Sequence, residues 1–578
     1  MFFFTSGLAF NLIDRTSARE LFTRYCPTIA MPNRHQLAGP LLDSAYAAER
    51  DAVTHHLKNQ RHVALMSDGW SNPRRESLIN FIVTAPKMRP LLWSCRVTDE
   101  DSKTGAYMAN MIGEVIDEIE SAVGVNKVCS VTTDNASNMK NAWTLLETGR
   151  PGFLSTGCAA HTLILMMKDV LSIPDLARIL SQAKEAVLFI RNHTATNARF
   201  RTDQEGDTSA SQRGLKLPNI TRWYSQYECT KLVIENDRVI RELVEDDELL
   251  EKYGQQQVSR LEEIVIPELF WAQGAVALQL LEPIHKCLAH FEKDTVCLSV
   301  IYQQFIELIR HPAYNAETPG VDEDTQQTFR DLIEYRWKLL HRESMGISYL
   351  LDHTKDTSTF VRTDRDDTIQ HLEKLAARLG HPQPQIRLLC RQLSSFMTNK
   401  CNWGDEHRRR MEDFPPLEWW TWIGADDYPL LEPIAQRIFT IPTSSAAAKR
   451  SWSIFKFIHS PRRNQLGNEK VIKLAFVYSN NGPKNAKTEI IARPVADLVP
   501  LTQRGGGATE TDSESQTLSS SESGTSELSD ILVEMSGPDL DDTSGSCGES
   551  DCTEDHFGPQ QWDDENNMPG DAEREWTV

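Results

Sequence analysis

The sequence predicts an α/β fold: a mixed sheet with flanking helices, interrupted by a large all-α insertion and followed by a disordered acidic C-terminal tail. Three observations carry that expectation. Between Val63 and Thr133, short apolar and β-branched runs alternate with Gly, Asn and Pro breaks, as strands require. From about Ile173 to Pro429 such runs nearly vanish, and apolar residues recur at helical spacing instead. From Gly505 onward the chain is mostly Ser, Gly, Thr, Asp and Glu, which cannot bury enough apolar surface to offset the entropy of ordering.

The apolar start, Met1 to Ile13, lacks the basic segment and small-residue cleavage site of a signal peptide, so it is expected to be a buried element of the fold. Pro40 to Leu57 sets Leu42, Tyr46, Val53 and Leu57 at near-helical intervals and predicts an amphipathic helix. Val63–Ser67, Leu78–Thr84 and Leu91–Thr98, separated by Gly69, Asn72, Pro73 and Pro86, read as a strand meander. Met108, Ile112, Val115 and Ile119 line one helix face, Val128–Thr133 is a further buried strand, and Cys158–Leu171 is a second helix. Three antiparallel strands, a helix, another strand and a helix is the order of the RNase H-like fold.

Beyond it, Leu176, Ile179, Leu180, Ala183, Val187 and Ile190 share one helical face, and Phe270–Phe291 and Leu298–Ile309 behave likewise. No fixed period links them, so this is an irregular insertion and not a solenoid. The expected units are a helical lead-in (1–62), the first part of an RNase H-like core (63–172), the insertion (173–430), completion of the core (431–482) and the acidic tail (483–578). The tail's apolar break, Leu528–Met535, is a candidate for docking on a partner that the sequence does not identify.

At 578 residues the chain exceeds what one hydrophobic core usually supports. No stretch approaches the ~18–20 uncharged apolar residues of a spanning helix, which argues against a membrane protein. The 11 cysteines are scattered without a Cys-x-x-Cys pair, which suits a nuclear or cytoplasmic protein and removes the usual zinc finger. Of the net charge of −21, residues 501–578 contribute −18 and the first 500 residues −3, so the folded part is nearly neutral and leaves room for basic patches.

Asp68 closes the first strand in Ser67-Asp68-Gly69-Trp70, and Asp134 closes a later one in Thr132-Thr133-Asp134-Asn135-Ala136. Carboxylates leaving adjacent strand ends can hold two hard divalent cations, Mg²⁺ or Mn²⁺, for phosphodiester hydrolysis. Each alone is also an ordinary turn or helix cap. Their company is more specific: Cys158-Ala159-Ala160-His161, Thr221-Arg222-Trp223, Leu417-Glu418-Trp419-Trp420, Tyr428-Pro429-Leu430, and Pro442-Thr443-Ser444-Ser445-Ala446-Ala447-Ala448-Lys449-Arg450-Ser451-Trp452-Ser453.

In this order the set resembles hAT-family transposases over about 480 residues, with Met1–Leu171 similar to a domain of unknown function often found in them. The resemblance implies DNA excision at a two-metal site of three acids on an interrupted RNase H-like fold. Asp68 and Asp134 match the first two acids. The third should be the Glu of a Ser-Ser-Ala-x-x-Glu-Arg pattern, but here Lys449 precedes Arg450. An ammonium cannot coordinate a cation and would instead pair with the two aspartates, so the expected centre is dead and binds no cofactor. Glu469 and Glu432 are the substitutes that could rescue it.

Cys158 and His161 are expected to be a structural pair beside the core. Trp223 would stack on an unpaired base, with Arg222, Arg199, Arg201 and Lys216 gripping phosphates, and a buried Trp in a helical domain is the competing account. His407–Arg410 is a short basic run of the nuclear-localisation kind. Trp419, Trp420, Trp422, Phe439, Trp452 and Phe455 are expected at a dimer interface, or else in the seam between insertion and core. The zinc finger with which the family reads DNA ends is not found, so any DNA contact should be mostly nonspecific. Together these features predict an inactive, domesticated transposase-derived protein that forms homo-oligomers in the nucleus or cytoplasm. The alternatives are an active transposase and a protein-interaction scaffold without nucleic acid.

Overall fold

A computed structural model describes residues 1–481 except 29, 73, 99–102, 219–223, 292, 294–295, 361–363 and 461–465. The acidic tail and the Thr221-Arg222-Trp223 segment lie outside the described residues.

One mixed sheet organises the chain. Its strands are β1 (Val63–Ser71), β2 (Ser77–Thr84), β3 (Leu91–Thr98), β4 (Val128–Thr133) and β5 (Leu154–Gly157), in the order β3-β2-β1-β4-β5. β1–β2 and β2–β3 are antiparallel, whereas β1–β4 and β4–β5 are parallel. This is the RNase H-like arrangement. Parallel strands need crossovers, supplied by α2 (Gly105–Val123) between β3 and β4 and α3 (Ser137–Gly149) between β4 and β5. The amphipathic helix α1 (Pro40–Lys58) precedes the sheet and α4 (Ala159–Val170) follows it.

Two apolar clusters show how the chain is interrupted. Buried residues of one run from Phe3 to Phe153 and resume from Ala447 to Val477, so the sheet's core is closed by α5 (Ala446–Ile458) and α6 (Asn468–Asn481). The other runs from Leu154 to Ile441 and is almost wholly helical. Phe3, Phe4 and Ile13 are buried, as their composition requires. Among the described residues no single helix is long and apolar enough to cross a membrane.

The meander and the strand Val128–Thr133 fall where their patterns place them, except that β1 runs on past Ser67 through Gly69 to Ser71, held by its pairing with β2, so that Asp68 lies within the strand and does not close it. Two elements carry weaker signals. β5 is four residues long, Leu-Ser-Thr-Gly, with one large apolar side chain, and is buried because it pairs beside β4. α3 begins at Ser137, shortly after Asp134, where the sequence suggested only a cap.

Candidate functional site

The sheet register places the two aspartates together. In the parallel pair β1–β4, Met66 is opposite Thr132. Two residues further on stand Asp68, within β1, and Asp134, just past the end of β4. Asn80 faces Asp68 across β1–β2, and its Oδ1 accepts the Asp68 amide N–H at 3.1 Å.

After the insertion the chain returns over this face. Thr132 Oγ1 donates to the Pro442 carbonyl at 3.0 Å, and the Ala159 N–H to the Thr443 carbonyl at 3.0 Å. Three consecutive alanines, the best helix formers, then start α5. Its position is fixed by Asn80, completely buried, whose Nδ2 donates to the Ala448 carbonyl at 2.7 Å and to Ser451 Oγ at 2.5 Å. Trp452, one turn further on, stacks on Trp70 at 5.2 Å and donates its indole N–H to Asp68 Oδ2 at 3.0 Å.

Cys158 caps the N-terminus of α4, and its Sγ accepts the backbone N–H of His161 and of Ser445, both at 3.3 Å. The thiol thereby ties the returning Ser-Ser-Ala segment to the helix that carries His161. Lys449, on the first turn of α5, donates its ammonium to His161 Nδ1 at 3.1 Å. Burial, Lys449 and Arg336 push the imidazole down to about 3, so it is neutral and accepts through Nδ1.

The direct contact of Lys449 with both carboxylates, expected from the sequence, is corrected here: none of the described ion pairs within 4.0 Å joins it to Asp68 or Asp134. The neutral histidine lies nearer and takes the hydrogen bond, while the charge acts on the aspartates through space. Burial pushes the Asp68 carboxyl up to about 6 and Asp134 adds to the rise, against the pull of Lys449 and the Trp452 N–H. Asp134 is likewise raised by burial, and the Ala136 N–H, Lys449 and Lys103 oppose it.

These residues do not fit a pair of divalent cations. Two carboxylates share the site with two ammonium groups, Lys449 and Lys103, and the nearby imidazole already accepts from Lys449. Among the described residues no three His, Cys, Asp or Glu side chains are placed to hold a metal. The candidate rescuers are engaged elsewhere. Glu432 pairs with Arg61, two residues before β1 and thus at the other end of the strand from Asp68. Glu469 pairs with Lys473 at 2.7 Å.

Arg199 pairs with Asp203 at 2.8 Å, which offsets its charge. Arg201 and Lys216 are exposed. Arg408 caps a helix end, donating to the Trp403 and Cys401 carbonyls at 2.9 and 3.0 Å, so the His407–Arg410 run is partly structural. Five of the six rings expected at a dimer interface are corrected to packing residues of one chain, and Trp422 is exposed. Trp419, Trp420, Phe439, Trp452 and Phe455 are all buried, the first three in the helical cluster and the last two under the sheet. Sequence reasoning missed Asn80, whose clamp on α5 needs the β1–β2 register to be seen, and Lys103, which lies near Asp134.

An RNase H-like core, split by a helical body and closed by a segment that brings Lys449 near two aspartates, defines a protein built on a transposase-type scaffold. Three family models match the chain: the domain of unknown function DUF659 at residues 32–186, the ZBED1 RNase-like helical domain at 156–266, and the hAT family C-terminal dimerisation region at 392–481. None of the curated proteins compared matches it. The chain is an hAT-family transposase-like protein and carries that family's dimerisation region.

Proposed function

We propose that this protein is a domesticated transposase derivative that no longer cuts DNA and acts as a self-associating body with nonspecific DNA contact. The observation that supports the loss of cutting is Lys449, which stands where the resemblance puts the third acid, is hydrogen-bonded to His161 and acts on both aspartates through its charge. A cation at that seat repels divalent ions and supplies no ligand. Retained DNA contact is supported more modestly, by exposed Arg201 and Lys216 and by the near-neutral charge of the first 500 residues. A nuclear site follows from that substrate.

The test is incubation of the full chain with supercoiled DNA and Mg²⁺ or Mn²⁺, alongside DNA binding across a salt series. The expected result is no nicking, with binding that weakens log-linearly with salt. Metal-dependent nicking that disappears in Asp68→Ala would overturn the loss of cutting. Absence of salt-dependent binding would favour a scaffold without nucleic acid.

A further inference from the structure

We infer that Trp422 is the anchor by which two copies of this chain pair, a proposal that rests on the dimerisation region matched above and names its contact residue. The segment Trp420–Gly424 is π-helical, an extra residue wound into one turn. Trp419, just before it, and Trp420, its first residue, are both buried. Trp419 stacks on His353 at 5.1 Å, and Trp420 donates its indole N–H to the Leu351 carbonyl at 2.9 Å. Gly424 makes room for them, since a Cβ there would lie 2.5 Å from Trp420 Cε3 and 2.8 Å from Trp419 Cζ3.

With those rings committed to the core, Trp422 is turned outward and 73% exposed, the only tryptophan among the described residues that leaves most of its ring in water. So large an apolar group on a rigid support loses little entropy when covered, which is the character of an interface hot spot. The matched dimerisation region contains it and points to a second copy as the occupant. Charges of both signs border the segment: Lys87, bound to Glu418 at 2.7 Å, on one side, and exposed Asp426 and Asp427 on the other. A patch that carries both signs can face itself across a twofold axis, as an isologous interface requires.

The experiment is sedimentation equilibrium of the full chain and of Trp422→Ala, Trp422→Phe and Tyr335→Ala. Tyr335 is a control ring, 54% exposed and outside the dimerisation region. The parent is expected to be dimeric at micromolar concentration. Trp422→Ala should raise the dimer Kd about 30-fold or more with an unchanged melting temperature, Trp422→Phe should fall between, and Tyr335→Ala should match the parent. A parent that stays monomeric overturns both the anchor and the dimerisation reading. A dimeric parent with an equally dimeric Trp422→Ala overturns the anchor alone. A drop in melting temperature for monomeric Trp422→Ala also overturns it, because the ring would then be supporting its own chain.

Discussion

Lys449 donates to Nδ1 of His161 at 3.1 Å, across 288 residues of sequence. The hydrogen bond joins the helix that follows the insertion to the helix that precedes it, beside two partly buried aspartates. An acidic residue at position 449 would place an acceptor against an acceptor, so the histidine would have to change tautomer or take a proton. The lysine is therefore integrated with its surroundings and is more than a lost ligand.

His161 should remain neutral, with its proton on Nε2, throughout pH 5 to 8 in the parent protein. Burial, Lys449 and Arg336 all disfavour the imidazolium. The folded value lies below the ordinary 6.5, so the folded state binds fewer protons than the unfolded one, and this group's share of stability is lost as pH falls from 6.5 toward 3. Imidazole ¹⁵N shifts report it directly. Titration near pH 6.5 would show that His161 does not accept from a charged lysine.

Asp68 should behave in the opposite sense. Its folded value, about 6, lies above the ordinary 3.8, so its contribution is full below pH 3.8 and is lost as pH rises through 6. Asp68→Asn keeps an oxygen for the Trp452 N–H and removes the ionisation. It should stabilise the protein at pH 7 by about 2–3 kcal/mol and show no such gain below about pH 4. Urea unfolding at the two pH values measures this, and an equal effect at both would refute the assignment.

Asn80→Ala should cost about 2–4 kcal/mol, because it strips partners from the buried Ala448 carbonyl and from the Asp68 N–H. Asn80→Asp keeps the shape but loses the two donors, and should be destabilised as well. Hydrogen exchange should locate the weakening in α5. Protection there equal to the parent's would mean that other contacts hold the helix.

Much of this was legible in the sequence, for physical reasons that differ by residue. Val63–Ser67 and Val128–Thr133 are short apolar and β-branched runs whose residues are all buried, the mark of strands covered on both faces, and Asp68 and Asp134 follow directly after them in the sequence. The Lys449 substitution was visible because the Ser444-Ser445-Ala446 and Arg450 positions bracket it without a gap. What the lysine touches was not visible, since side-chain partners depend on a fold closed over hundreds of residues. The aromatic cluster misled for a related reason. Trp419 and Trp422 are the same residue type three positions apart, and only the π-helical turn puts one in the core and the other in water.

The central claim is that position 449 is the third acid's seat and that lysine there closes the site to divalent cations. It is tested most directly by thermal unfolding of the parent and of Lys449→Glu, with and without Mn²⁺, at fixed ionic strength. In the metal-free variant a third carboxylate joins two already raised by burial, so its melting temperature should fall below the parent's. Mn²⁺ should reverse that loss, adding about 2.7 kcal/mol at a hundredfold excess over its Kd, and should leave the parent nearly unmoved. Equal responses to Mn²⁺ in the two proteins would contradict the claim.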